Sequence, residues 1–228
     1  MKEDREVNTS GAVGRDDCAI FAGPSRKGKS YGALHVLSSP ERASRDRWVY
    51  LDPMCTVEHS GARIVRNTRD LLYAMRTPKF RIVYHYDPTT SDVSYFAIVT
   101  LLQQWAKAAR VKVTFVLDEY GAMSEDVRGK VPPEAVSLAR AGRHYGASVF
   151  YVSQRYFDVP PSIRNNLPDA YLFGVSVGYD VRDLNSLDMS GAPDGKRLGD
   201  VVRSLARYHY VRYSPETGLY TVNKPFGA

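Results

Sequence analysis

"GPSRKGKSYG", residues Gly23 to Gly32, decides how this chain is read. Gly23, Gly28, Lys29 and Ser30 stand in it at the spacing G-x-x-x-x-G-K-S, directly after the apolar run "CAIFA" (18–22). Glycines let the backbone fold so that several N–H groups face one point. A helix opening at Lys29 adds the partial positive charge of its first turn. A flexible surface turn would explain the glycines alone. The context favours a phosphate cradle: a short buried strand precedes the stretch, and "GKSYGALHVLSS" follows it with apolar residues at helical spacing.

On that reading Gly23, Pro24, Ser25, Arg26, Lys27, Gly28, Lys29, Ser30 and Tyr31 surround a nucleotide's phosphates. Lys29 reaches the β- and γ-phosphates and Ser30 gives its hydroxyl to Mg²⁺, so ATP and Mg²⁺ are the expected cofactors. A metal site of this kind needs a carboxylate from elsewhere, and "VTFVLDEY" (113–120) offers one at the end of a buried apolar run. Asp118 is the metal acid and Glu119 the group that polarises an attacking water. Two acids at a strand end could also simply meet solvent. The adjacent glutamate argues for hydrolysis over transfer to a small acceptor. Strands expected at 47–52 and 80–87 separate the loop from the acids, as in the P-loop branch that carries the extra glutamate. No N-K-x-D guanine signal occurs. "SVFYVSQR" (148–155) ends in Ser153 and Gln154, and an amide there can bond both the γ-phosphate and the lytic water. Asp52, ending "RWVYLD", either rims the same crevice or serves its own turn.

The 228 residues suit one α/β domain with a substantial core, and 43% hydrophobic with 25% charged residues excludes a disordered chain. No apolar run approaches the ~20 residues of a membrane span. The polar, mixed-charge N-terminus is unlike a signal peptide, so synthesis in the cytosol is expected. Two cysteines, Cys18 and Cys55, fit buried free thiols in a reducing compartment.

Strands and helices alternate through the middle of the chain: helices are expected at 69–76, 91–110 (capped by Ser91 or Asp92) and 132–146, and strands at 113–120, 148–155 and 170–176. The fold class is therefore α/β, a P-loop NTPase of RecA/ASCE type, with a mostly parallel central sheet and helices on both faces. "DGKRLGDVVRSLA" reads as a helix, and "RYHYVRYS" with "GLYTVN" as a C-terminal hairpin turning at "PETG". The expected organisation is an arm at 1–17, an ATPase core at 18–176, and an extension at 177–228 packed on it.

Residues 138–175, "LARAGRHYGASVFYVSQRYFDVPPSIRNNLPDAYLFGV", resemble the FtsK–HerA superfamily of DNA-pumping ATPases. Those proteins follow the metal acid with an arginine-bearing helix, a glycine, an apolar strand ending in Thr/Ser-Gln-Arg, and an Asn-Leu/Ile-Pro-like segment. "SQRYFDVPPSIRNN" is similar to the genome-packaging ATPases of internal-membrane icosahedral viruses and large DNA viruses. The likeness spans roughly 18–176; the chain beyond 177 carries none.

The resemblance implies a ring of five or six subunits threading double-stranded DNA, with ATP between neighbours and an arginine finger in trans. Arg143 matches the family's arginine before the glycine best; Arg140 and Arg164 are the other candidates, and each could instead be a solvated charge. It further implies action in the host cytoplasm during assembly, retention at a virion vertex, and docking on a capsid vertex or portal protein. The net charge of +6 fits an anionic partner. A motor indifferent to sequence must grip phosphates. Arg128 and Lys130, in the loop after the acids, and Lys196, Arg197 and Arg203, in the basic C-terminal part, are the candidate DNA contacts. The alternatives are an ATPase acting on protein during phage assembly or export, and a nucleotide switch without fast turnover.

Overall fold

A computed structural model describes residues 18–91, 93–125, 133–175, 177–187 and 195–227. The expected arm at 1–17 lies outside them. The chain runs β1 (Ala19–Ala22), α1 (Lys29–Leu37), β2 (Arg47–Asp52), β3 (Arg63–Val65), α2 (Thr68–Ala74), β4 (Phe80–His85), α3 (Tyr95–Ala109), β5 (Val113–Leu117), α4 (Tyr120–Glu125), α5 (Pro133–Ala141), β6 (Ala147–Ser153), α6 (Pro161–Arg164), β7 (Asp169–Leu172), α7 (Gly178–Asn185), α8 (Leu198–Arg203), β8 (Tyr210–Tyr213) and β9 (Tyr220–Asn223).

The strands form one nine-stranded sheet in the order β3-β4-β2-β5-β6-β1-β7-β8-β9. All pairings from β3 to β7 are parallel; β8 runs antiparallel to β7, and β9 to β8. This is the expected α/β fold, and its terminal hairpin extends the same sheet.

Side chains alternate across the sheet with period two, and two cores result. On one face Phe21, Trp48, Tyr50, Val116 and Phe150 pack against Ala33, Val36 and Leu37 of α1. On the other, Ile20, Val49, Leu51, Phe115, Leu117 and Tyr151 meet residues of α2, α3, α5, α7 and α8. The imbalance follows from handedness. Parallel crossovers are right-handed, so the direction of each step along the sheet fixes the face its connection covers. The steps from β1 to β2 and from β2 to β3 run one way and place α1 and Val57 on the first face. Every later step up to β7 runs the other way and loads the second face.

The differences from expectation are local. The helix expected at 91–110 begins at Tyr95, because the Ser94 hydroxyl, not that of Ser91, accepts the N–H of Ala97 at 3.2 Å; Asp92 lies outside the described residues. That at 132–146 ends at Ala141 and tightens into a 3₁₀ turn, Gly142–Tyr145. Strand β5 stops at Leu117, since Asp118 and Glu119 already form the turn into α4. Strand β3 and helices α4 and α7 were not expected, and of the two thiols expected to be buried only Cys18 is, Cys55 being exposed in the turn after β2. Among the described residues no helix is long and apolar enough to cross a membrane.

Two glycines give a contrasting test of packing. A Cβ on Gly142 would lie 2.7 Å from the Ala147 carbonyl oxygen, a backbone atom that cannot step aside, whereas nothing lies within 4 Å of one on Gly178. Gly142→Ala is expected to cost about 1–3 kcal/mol in urea unfolding, and Gly178→Ala to leave the midpoint unchanged or slightly raised.

Candidate nucleotide site

Adjacent strands whose connections leave for opposite faces open a crevice at their C-terminal ends, where α/β sheets bind ligands. Here β1 departs towards the first face and its neighbour β6 towards the second. The loop 23–28 rises from that point, held at its base by the Gly23 N–H donating to the Ser153 carbonyl at 3.3 Å.

The loop is shaped for an anion. Gly23, Arg26 and Gly28 take φ values of 151°, 61° and 99°. Such left-handed turns point backbone N–H groups inward. Helix α1 starts from Gly28 with no side-chain cap and no acidic residue in its first turn, so its N–H groups and positive end are left for a ligand. Lys29 is buried and its ammonium donates to the Pro24 carbonyl at 3.1 Å, across the mouth of the loop. Burial lowers its pKa, while Glu119 and Asp118 hold it up.

Asp118 meets the loop from β5. Its Oδ2 accepts from the Tyr50 hydroxyl at 2.6 Å and from the Ser30 hydroxyl at 3.4 Å, and its Oδ1 from the Glu119 N–H at 2.8 Å. It is 6% exposed, and burial pushes its carboxyl up to about 6, against the pull of Tyr50. Strand β6 lies between β1 and β5. Asp118 is thus one strand removed from the loop 23–28, which leaves room for β6 and the Gln154 that follows it.

Glu119 sits at the sharp turn from β5 into α4 with φ 49°, a conformation that costs a non-glycine residue of order 1–3 kcal/mol and concentrates at functional sites. Its carbonyl accepts the N–H of Met123, and its Oε2 accepts from the Gln154 amide at 3.2 Å. Beside Gln154, Arg155 turns away and donates to Asp180 of α7 at 2.8 Å, with its guanidinium over the Tyr179 ring at 4.4 Å. Two neighbouring residues thus tie the acid pair to the segment after β7.

The remaining expected residues divide. Asp52 does not rim the crevice. It is fully buried, and its carboxylate accepts the N–H groups of Met54, Thr56 and Val57 at 2.7–3.0 Å, fixing the loop after β2. Arg140 and Arg143 are exposed near the start of β6, the sheet edge opposite the phosphate loop. Neither reaches the site of its own chain. Arg164 is committed within the chain, its guanidinium 4.6 Å from the Phe157 ring and 3.3 Å from the Val159 carbonyl. Lys196, Arg197 and Arg203 are exposed at and before α8; Arg128 and Lys130 lie outside the described residues. Sequence reasoning missed Tyr50; nothing local marks it as the partner of an acid 68 positions away.

Hard oxygen donors on one carboxylate and one hydroxyl, beside a phosphate loop, fit Mg²⁺, which keeps most of its shell for water and phosphate. Only ionised Asp118 would hold it. Mg²⁺-dependent binding of AMPPCP is therefore expected to weaken as pH falls through about 6. Tyr50→Phe removes the bond that favours the carboxylate and moves that midpoint up by roughly one unit, read by titration calorimetry from pH 5 to 8. Without ligand the sign reverses: an acid raised by burial opposes folding when ionised, so acidification through pH 6 relieves it.

No protein-family model matches the chain, and neither does any curated protein sequence. Solved structures do. The genome packaging NTPase B204 from Sulfolobus turreted icosahedral virus 2, in complex with sulfate, superposes with a TM-score of 0.71 over 92% of this chain and 97% of that one, at 18% identity. B204, the DNA-packaging ATPase from Sulfolobus turreted icosahedral virus, gives 0.69 over 93% and 99%, at 20% identity. EssC (ATPases 2 and 3) from Geobacillus thermodenitrificans gives 0.55 over 88% of this chain and 38% of that one, at 12% identity. The α/β P-loop fold expected from the alternation of strands and helices is thereby borne out: from β1 to the terminal hairpin, this chain has the fold of B204.

Proposed function

We propose that the chain is an ATP-hydrolysing motor of the FtsK–HerA type that moves double-stranded DNA, and that its task is to package a viral genome into a preformed capsid. One observation carries the enzymatic part: Ser30 and Asp118, 88 positions apart, meet at 3.4 Å beside the paired Glu119 and Gln154. The packaging role is supported by the shared fold with B204, which has also been solved with AMPPCP and with ATP-gammaS.

Each residue has a distinct task in this reading. The N–H groups of the loop 23–28 and the Lys29 ammonium bind the β- and γ-phosphates. Ser30 and Asp118 hold Mg²⁺, which when bound neutralises charge on the phosphate oxygens. Glu119 orients the lytic water and accepts its proton at a carboxylate oxygen. Gln154, released from Glu119, reports the presence of the γ-phosphate.

An arginine from a neighbouring subunit completes the site. Arg143 and Arg140 suit this because both are exposed at the sheet edge opposite their own loop, so a ring of five or six subunits could present them to the next site. Arg164 suits it less, being held by Phe157 and Val159. Residues 18–176 form the motor core and 177–228 an extension packed on it. Lys196, Arg197 and Arg203, with Arg128 and Lys130, grip DNA phosphates. The ring docks on a capsid vertex or portal protein and acts in the host cytoplasm during assembly, with retention at a virion vertex.

Lys29→Ala is expected to abolish nucleotide binding. Glu119→Gln should keep it while slowing hydrolysis by roughly a hundredfold or more, and unchanged turnover would remove Glu119 from its role. Long double-stranded DNA should raise the ATPase rate of the parent; stimulation by protein but not DNA would favour an assembly ATPase. Mixing inactive Glu119→Gln and Arg143→Ala proteins should restore part of the rate, because hybrid interfaces carry both intact groups. No recovery would exclude Arg143 as the trans arginine.

A further inference from the structure

A second hollow adjoins the phosphate loop, half of it built from the part of the chain that resembles nothing at the sequence level. Gly28, Tyr31, Phe173, Tyr208, Pro225 and Phe226 line a cavity of about 380 Å³, within the range of small-molecule sites. Gly28 belongs to both: it is the last loop residue before Lys29 and part of the cavity wall.

Topology brings these residues together. Strand β7 ends at Leu172, at the same sheet edge as the loop, and Phe173 follows it. Strand β8 starts from that edge and β9 returns to it, so Tyr208 just before β8 and Phe226 just after β9 arrive side by side. Phe226 stacks on Tyr210 with centroids 4.3 Å apart and planes 8° from parallel, and Phe173 backs both at 5.6 and 6.3 Å. The rings can close on α1 only because Gly32 has no side chain; a Cβ there would lie 2.7 Å from Phe173 and 2.8 Å from Phe226. At the rim Tyr31 and Tyr208 remain 61% and 41% exposed, large rings held around an open space.

The lining is aromatic and backbone. Among the described residues no carboxylate, amide, guanidinium or ammonium contributes to it. Its polar side-chain groups are the hydroxyls of Tyr31 and Tyr208, which donate or accept alike, so such a wall grips a flat ring by its faces without selecting one purine's hydrogen-bonding edge.

Building on the nucleotide reading above, we propose that this cavity holds the purine base of the bound nucleotide, that Tyr208 and Phe226 of the C-terminal extension supply the stacking, and that adenine and guanine are accepted alike. The extension is then part of the nucleotide site, and the motor is selective for triphosphate over base.

The test is calorimetry with Mg²⁺ and three probes, AMPPCP, GMPPCP and inorganic tripolyphosphate, on the full chain. The parent should bind AMPPCP and GMPPCP within about threefold of one another, and both more tightly than tripolyphosphate. Phe226→Ala and, independently, the surface variant Tyr208→Ala should weaken both nucleotide analogues by roughly five- to a hundredfold, the effect of removing one aromatic from a base stack, with tripolyphosphate unchanged. If AMPPCP binding survives both substitutions, or if tripolyphosphate weakens equally, the base does not sit here, though the phosphate loop stands. If GMPPCP binds more than tenfold weaker than AMPPCP to the parent, the cavity reads base edges and the proposal is overturned. A parent that binds none of the three would defeat the nucleotide reading itself.

Discussion

A carboxylate kept almost dry is the constraint on which this molecule turns. Asp118 lies at the end of a strand buried on both faces, and burial pushes its carboxyl up to about 6 even with its hydrogen bonds in place. The fold answers with two hydroxyls and a backbone N–H, from Tyr50, Ser30 and Glu119. Each comes from a different place: Tyr50 from β2, Ser30 from the first turn of α1, and Glu119 from the turn into α4. Bringing them to one oxygen pair requires β2 beside β5, and β1 one strand further on. The order of the central strands and the geometry of the carboxylate are therefore one fact. The site keeps an unmet appetite for positive charge, which three neutral donors lessen and do not satisfy.

Much of this was legible in the chain because the signals are local. The glycine spacing at 23–28 can be met by few backbones, and apolar runs such as 47–52 and 113–117 state their burial directly. Strand β2 falls where "RWVYLD" places it, and the hairpin where tyrosines and valines alternate. What stayed hidden lacks local contrast. Strand β3 is three residues at an edge, two of them exposed, so no alternation can develop. Helix α7 opens on glycine and buries only Asp180, Val181 and Leu184. The turn of β5 into α4 follows from the left-handed Glu119, which apolar patterning cannot anticipate. The contact of Tyr50 with Asp118 and the meeting of Phe173 with Phe226 are products of topology, visible only once strands have neighbours.

The terminal hairpin shows how a sheet edge can be given work. Most parallel sheets close against helices on both faces and leave their edges to short strands. Here the edge beside β7 is prolonged by two antiparallel strands, pinned by the bidentate pair of Arg212 with Asp169 at 2.8 Å. Antiparallel strands return the chain to where it began, so both ends of the hairpin finish at the ligand-facing rim. Aromatic residues at those ends, Tyr208 and Phe226, then pack where the first helix carries glycine instead of a side chain.

The adjacency of Gln154 and Arg155 has a mechanical meaning. Their Cα atoms are one trans peptide apart, about 3.8 Å. One side chain grasps the acid that would face a lytic water, and the other is bolted to Asp180 and Tyr179. The peptide between them is planar, while each side chain turns on its own torsions. A shift of the backbone at Gln154 would reach the clamp on α7 through that single peptide, whereas rotation of the amide alone would not.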